Sequence, residues 1–221
     1  VRIRTALAVM CRVPRAGEGK TRLAGAVPPD RLVALQAAML ADTIAALGRF
    51  TADERYLFVA PLAGGDEAST RVAIAPHAPD GWRVAVQSGS DLGARLEQVF
   101  ARLFAPGLTR VLVTGSDAPF LSLEGLDLAA LQEEEAVLLP TEDGGYAAIA
   151  LGRPEPLLFR DMTWSTSSVA AETRRRARRA GLRLRELSST FDVDEPADLE
   201  RLRRTLHEHP GWAPRTAAAL R

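Results

Sequence analysis

Cysteine is nearly absent: Cys11 is the one thiol in 221 residues, so no internal disulfide can form and the fold must hold by burial. Net charge is absent too. The 28 Lys and Arg residues match 28 Asp and Glu residues, which argues against bulk attraction to nucleic acid or an anionic membrane. Histidine is scarce. His77 lies in a proline-rich stretch and His207 and His209 flank the end of the last helix, a pattern with neither metal-ligand spacing nor a nucleophile–base pair. Long apolar runs are missing as well. Ala6 to Cys11 is too short for a signal-peptide core and is closed by Arg12, while LVALQAAMLADTIAAL is broken by Gln36 and Asp42. The expectation is a cytoplasmic protein with no nucleic-acid or membrane partner. No linker or internal repeat interrupts the chain, so residues 1–221 read as a single domain.

What is present is ordinary globular composition, with 47% hydrophobic and 25% charged residues. Short apolar runs alternate with helical patterns. IRTALAVM, RYLFVAP, WRVAVQ, TRVLVTG and RLREL read as strands, and EAVLLPTEDGGYAAIAL as two strands around a turn at Asp143-Gly144-Gly145. Helix spacing runs over 30–48, with Asp30 as N-cap, and over the stretch SDLGARLEQVFARLFAPG, capped by Ser90 or Asp91. A further helix starts at Ser165 or Thr166, another lies near Ser122, and a last one opens at Asp194-Glu195-Pro196. Such alternation implies an α/β fold: a mainly parallel sheet with helices on both faces. Ligands of these sheets collect beyond the carboxyl ends of the strands.

The first strand is followed by RAGEGKTRLAG. Gly19-Lys20-Thr21 matches the end of a P-loop, but the first glycine that motif needs falls on Pro14. Proline has no amide hydrogen to give a phosphate, which excludes a Walker loop. What remains is a basic glycine loop in which Lys20 and Arg22 can still hold a polyphosphate; a solvated basic loop is the alternative.

Acids follow the later strands. Asp117, in TGSDAPFL, can coordinate a hard cation at a strand end or cap a turn. Asp192 and Asp194, in FDVDEPADL, are read as dividing the work, one facing the site and the other capping the helix. Asp143 fits hairpin-turn chemistry. Ser165 and Thr166 cap a helix whose N-terminus can also bind anions. The arginine run TRRRARRAG leaves Val169, Ala170, Thr173, Ala177 and Ala180 for the core and reads as a solvated face. Cys11 reads as a packed thiol.

Six ordered blocks then carry a resemblance: GEGKTRLAG, GSDLGARLEQVFARLF, VTGSDAPFL, EDGGYAAIAL, WSTSSVAAET and FDVDEPADLERL. The chain resembles the bacterial DUF2064 family, the selenodomain-associated or arsenosugar-biosynthesis-type glycosyltransferases, a family similar to phospholactate guanylyltransferases. The resemblance implies the GT-A-type nucleotide-diphosphosugar transferase fold. It implies that Gly17, Gly19, Lys20, Thr21, Arg22 and Asp117 bind the nucleotide, and that Lys20, Arg22 and Asp117 carry catalysis. Asp117, Asp192 and Asp194 are implied to hold Mg2+ or Mn2+, and Asp143, Gly144, Gly145, Ser165 and Thr166 to line an acceptor pocket. The implied partners are a nucleotide sugar or a nucleoside triphosphate together with a small acceptor.

The first reading is therefore glycosyl transfer from a nucleotide sugar. Nucleotidyl transfer with release of pyrophosphate is the alternative. It is favoured by the chemistry of Ser116-Asp117-Ala118, which offers one acid where many glycosyltransferases of this fold carry an Asp-X-Asp pair. A non-catalytic nucleotide-binding domain is the third reading.

Overall fold

β1 (Thr5–Cys11) owes its place to its composition. Ala6 and Ala8 turn to one side of the sheet, Leu7, Val9 and Cys11 to the other, and all five are buried. A strand buried on both faces reads as an unbroken apolar run, the mark of a parallel strand covered by helices on each side. In the computed structural model, which describes residues 2–221, this strand lies inside a seven-stranded sheet.

β2 (Glu54–Val59) and β4 (Arg110–Gly115) pair with β1 in parallel, and β3 (Arg83–Val86) extends the sheet beyond β2. On the other side β6 (Tyr146–Leu151) runs antiparallel to both β4 and β5 (Glu135–Pro140), and β7 (Arg183–Glu186) pairs in parallel with β5. The order is β3-β2-β1-β4-β6-β5-β7. The sheet is thus mixed and mostly parallel, as expected, and the chain changes direction of growth between β1 and β4, where ligands of open α/β sheets bind.

Both faces are covered. Phe100 and Leu103 of α3 (Leu92–Phe104) and Ala170 and Ala177 of α4 (Val169–Arg179) join the core on one face. Leu40, Ile44 and Leu47 of α1 (Pro29–Leu47) and Ile74 of α2 (Glu67–Ile74) join it on the other. A third cluster sets Leu32, Leu35 and Met39 of α1 against Leu199, Leu202 and Leu206 of α5 (Pro196–Glu208). The last helix, α6 (Pro214–Ala219), is tied to α1 through Asp42. This buried carboxylate accepts hydrogen bonds from Thr216 N and Thr216 Oγ1, both at 2.8 Å. The arginine run is a solvated face except at Arg176, whose side chain is 14% exposed and donates to Leu157 O at 3.2 Å and Asp161 O at 2.8 Å. Arg174 pairs with Glu186, and Arg175 and Arg176 with Glu172.

Several local expectations need correction. α1 begins directly after Pro28, and Asp30 sits in its first turn rather than at the cap, because Pro29 supplies a pre-set φ at the first helical position. No helix forms near Ser122. Residues 116–134 run in turns, with Leu123, Leu126, Leu128 and Leu131 buried against the sheet. α4 starts at Val169, after Ser168, and not at Ser165 or Thr166; Thr166 Oγ1 bonds Thr163 O and Ser168 Oγ instead. α2 and α6 were not expected, being too short for periodicity to show. α2 is set by the reciprocal capping of Asp66 and Ser69, α6 by the Asp42 anchor.

Candidate active site

The loop after β1 and the turn after β4 face each other across the switch point. Gln36 Nε2 of α1 donates to Glu18 O at 3.1 Å, and Ala63 N to Glu18 Oε1 at 3.1 Å, which fixes the loop at its middle. Lys20 follows, in the left-handed backbone region at φ 48°, a conformation that costs a non-glycine residue about 1–3 kcal/mol. What holds it there is electrostatic. Lys20 Nζ lies 2.6 Å from Asp117 Oδ1 and 2.9 Å from Asp194 Oδ1. Its side chain is 5% exposed, whereas those of Asp117 and Asp194 are 59% and 47% exposed. Burial alone would lower its pKa, but the charges and hydrogen bonds of the two acids outweigh burial and raise it. Lys20 is the only lysine of the chain.

Asp192 and Asp194 both reach the cleft. Residues two apart in extended backbone share a face, so Phe191 and Val193 enter the third core cluster while the two acids line the cleft. Val193 N donates to Asp117 O at 3.0 Å and so ties this segment to the β4 turn. The expected division of labour is replaced by another: Glu195 is the N-cap of α5, with Asp198 Oδ2 accepting from Glu195 N at 2.8 Å. Arg22 reaches Glu195 Oε1 at 3.3 Å, on the surface.

The turn after β5 closes the other wall. Asp143 Oδ1 accepts from Thr141 Oγ1 at 2.5 Å and from Gly145 N at 2.9 Å. Gly144 does not line the cleft. It holds φ 89°, and a Cβ there would fall 2.0 Å from Ser167 O, so its role is to let the strap carrying Ser165 and Thr166 lie against the turn. Asp143, Gly145, Ser165 and Thr166 do line the cleft, with Gly17, Gly19, Lys20, Thr21, Arg22, Asp117, Asp192 and Asp194. The volume is about 1170 Å³, above the range of a typical single-ligand site. Asp91 keeps the capping role, accepting from Ala94 N at 2.9 Å.

The acids outnumber the cation. Burial, then the charges of Asp143, Asp194 and Asp117, push the Asp192 carboxyl up from 3.8 to about 6. Oxygen donors with surplus negative charge are what Mg2+ or Mn2+ takes, so the residues fit such an ion in kind and in charge. Among the described residues no three acids already stand as a metal cluster; Lys20 Nζ occupies the position between Asp117 and Asp194. Cys11 at the cleft wall is inert, its thiol pushed up to about 12 by burial and by Asp117.

Sequence reasoning missed Tyr146 and Trp164, which also line this space. Each adjoins a residue that was singled out, at EDGGY and WSTSS. What hid them is that an aromatic beside a strand or helix start usually means packing.

Comparison with known proteins agrees with the geometry. The family described as "Uncharacterized protein conserved in bacteria (DUF2064)" matches residues 34–166. Phosphoenolpyruvate guanylyltransferase of Sphaerobacter thermophilus is 31% identical over 197 residues, covering 86% of this chain and 89% of its own. A crystal structure from Desulfovibrio desulfuricans, provisionally described as a nucleotide-diphospho-sugar transferase, superposes with a TM-score of 0.86 at 29% identity, covering 99% of this chain and 94% of that one. A Mycobacterium tuberculosis protein solved in complex with manganese shares the fold at a TM-score of 0.51 and 18% identity, covering 91% and 98%. No helix among the described residues is long and apolar enough to cross a membrane. The chain belongs to the DUF2064 family and is a transferase built on the nucleotide-diphospho-sugar transferase fold.

Proposed function

We propose that this chain is a metal-dependent nucleotidyltransferase that moves a nucleoside monophosphate from a nucleoside triphosphate to a small acceptor. The observation that carries this reading is the clasp of Lys20 between Asp117 and Asp194. It brings one cation and acids from two separate segments to the point where β1 and β4 end. A single acid at the β4 turn, partnered by Asp192 and Asp194 from elsewhere in the chain, suits a triphosphate better than the adjacent acid pair of many glycosyltransferases. The guanylyltransferase relative supports the same chemistry.

In this reading residues 1–221 act as one domain. Gly17, Gly19, Lys20, Thr21 and Arg22 hold the triphosphate, Lys20 as a point charge and Arg22 as a fork. Asp117, Asp192 and Asp194 hold Mg2+ or Mn2+, which when bound supplies a Lewis acid for phosphate oxygens. Asp143, Gly145, Ser165 and Thr166 meet the acceptor, with Gly144 positioning their strap. An acceptor oxygen bonds to the α-phosphorus, the bond from that phosphorus to the bridging oxygen breaks, and pyrophosphate leaves. Lys20 gives up its acids for the phosphates as the nucleotide enters.

Glycosyl transfer from a nucleotide sugar is the second reading, favoured by the description of the D. desulfuricans structure. A thermal-shift panel with Mg2+ or Mn2+ separates the two. Stabilisation by a triphosphate, with pyrophosphate released on adding acceptor, supports nucleotidyl transfer; stabilisation by nucleotide sugars alone sinks it.

A further inference from the structure

On the α3 side of the sheet the cleft is walled by Met10, Leu96, Val113, Ile149 and Val169. Here Tyr146, the first residue of β6, meets Trp164 edge to face, with ring centroids 6.2 Å apart. Both rings pack on the core. Yet Tyr146 Oη and Trp164 Nε1 are buried with no hydrogen-bond partner. Stranding a buried polar atom is unfavourable, and native structures contain few of them. Two on adjacent rings, both on the cleft wall, call for a ligand, because phenylalanine would fill the Tyr146 place without the penalty. The α3 helix accommodates the indole too: a Cβ on Gly93 would lie 2.5 Å from Trp164 Nε1.

The surroundings limit what that ligand can be. Burial alone raises the Tyr146 hydroxyl, and no neighbouring charge contributes. An ionised oxygen placed between these rings would lose its hydration with no counter-charge to offset the loss.

We propose that Tyr146 and Trp164 form the subsite for the non-reacting end of the acceptor, and that this end is an uncharged, oxygen-bearing group of the sugar or polyol class. Trp164 Nε1 donates to one of its oxygens and Tyr146 Oη bonds another. The inference rests on the nucleotidyl-transfer reading for the acceptor's place and adds its class. Neither polar atom reaches solvent as the cleft stands, so the group enters as the Trp164 strap shifts about Asp161 and Ser165, which hold φ values of 51° and 60°. Phosphoenolpyruvate, the compound in the relative's name, is charged at both ends and fits this subsite poorly.

The test compares the wild type with Tyr146→Phe and Trp164→Phe, using glucose 1-phosphate, glycerol 3-phosphate and phosphoenolpyruvate with Mg2+ and the best-bound triphosphate. The wild type should prefer the first two probes. Each substitution should raise their KM about tenfold and leave triphosphate binding unchanged. Tyr146→Phe should also leave the melting temperature of the free protein equal or higher, since it removes a stranded atom and no ring volume; Trp164→Phe gives up packing against the core and should lower it. A lower melting temperature of Tyr146→Phe, an unchanged KM, a preference for phosphoenolpyruvate, or no calorimetric binding of either neutral-ended probe overturns the subsite. Probe binding that depends on both rings without any pyrophosphate release sinks nucleotidyl transfer and keeps the subsite. Pyrophosphate release that is indifferent to both substitutions does the reverse.

Discussion

Replacing Asp192 by asparagine should make the free protein more stable, although the residue belongs to the site. The carboxyl titrates near 6 in the fold against 3.8 in the unfolded chain, so the folded state binds the proton more tightly. A group shifted this way contributes stability that is fully present below about pH 4 and is lost as pH rises through about 6. The full shift corresponds to about 3 kcal/mol. Asp192 is only partly buried, and solvent screening reduces the expected effect to about 1–2 kcal/mol. Asparagine keeps the shape and removes the charge. At pH 7.5 the variant should therefore be more stable by about 1–2 kcal/mol, or about 2–8 °C in Tm for a chain of this size. The gap should have mostly closed near pH 4, where the folded carboxyl is neutral and the unfolded one is close to its own midpoint. Urea unfolding at pH 7.5, 6, 5 and 4.5 measures it. A variant that is less stable at pH 7.5, or a gap that does not change with pH, refutes the reasoning.

Lys20→Met should cost the free protein only about 1 kcal/mol, because Asp117 and Asp194 are half exposed and water takes over from the ammonium; triphosphate affinity, read by calorimetry, should fall at least about tenfold. As the only lysine, Lys20 should resist trinitrobenzenesulfonate in the native protein and label on unfolding, a difference that peptide mass spectrometry reads. Asp42→Ala leaves the amide and hydroxyl of Thr216 unpaired and should cost about 2–3 kcal/mol in urea unfolding, with nucleotide binding intact. Gly144→Ala should push the strap off the turn and raise the acceptor KM while leaving triphosphate binding in place, because Ser167 O stands where the new methyl would go; unchanged kinetics would show that the strap bends freely.

The strands and the two ends of the cleft were legible because they depend on local signals. β1 is apolar throughout and buried on both sides, α3 repeats at helix spacing, and the glycine loop and the acids lie in the loops that follow strands. What could not be read depends on partners far along the chain. The sequence leads one to expect a helix near Ser122, yet residues 116–134 run in turns, with Leu123, Leu126, Leu128 and Leu131 buried under the sheet. α6 exists through a carboxylate 174 residues earlier. The start of α4 moved because the strap at 164–168 is held down by Gly144 and by hydroxyls bonding each other, which competes with helix.

The same contrast explains why the charged part of the site showed itself and the aromatic part did not. Lys20, Asp117 and Asp194 come from three segments, but each is a charged residue in a loop that follows a strand, and such placement is visible one residue at a time. Tyr146 and Trp164 are informative only through what they lack. An aromatic in a sequence predicts burial, and both rings are indeed buried against the core. That their polar atoms find no partner is a property of the assembled cleft, and no spacing rule can carry it. In the nucleotidyl-transfer reading proposed above, the acids and Lys20 serve the triphosphate and say little about the acceptor. On that reading selectivity comes from the wall where polar atoms stand unpaired, because a site that must hydrogen-bond a substrate oxygen discriminates strongly against compounds that lack it.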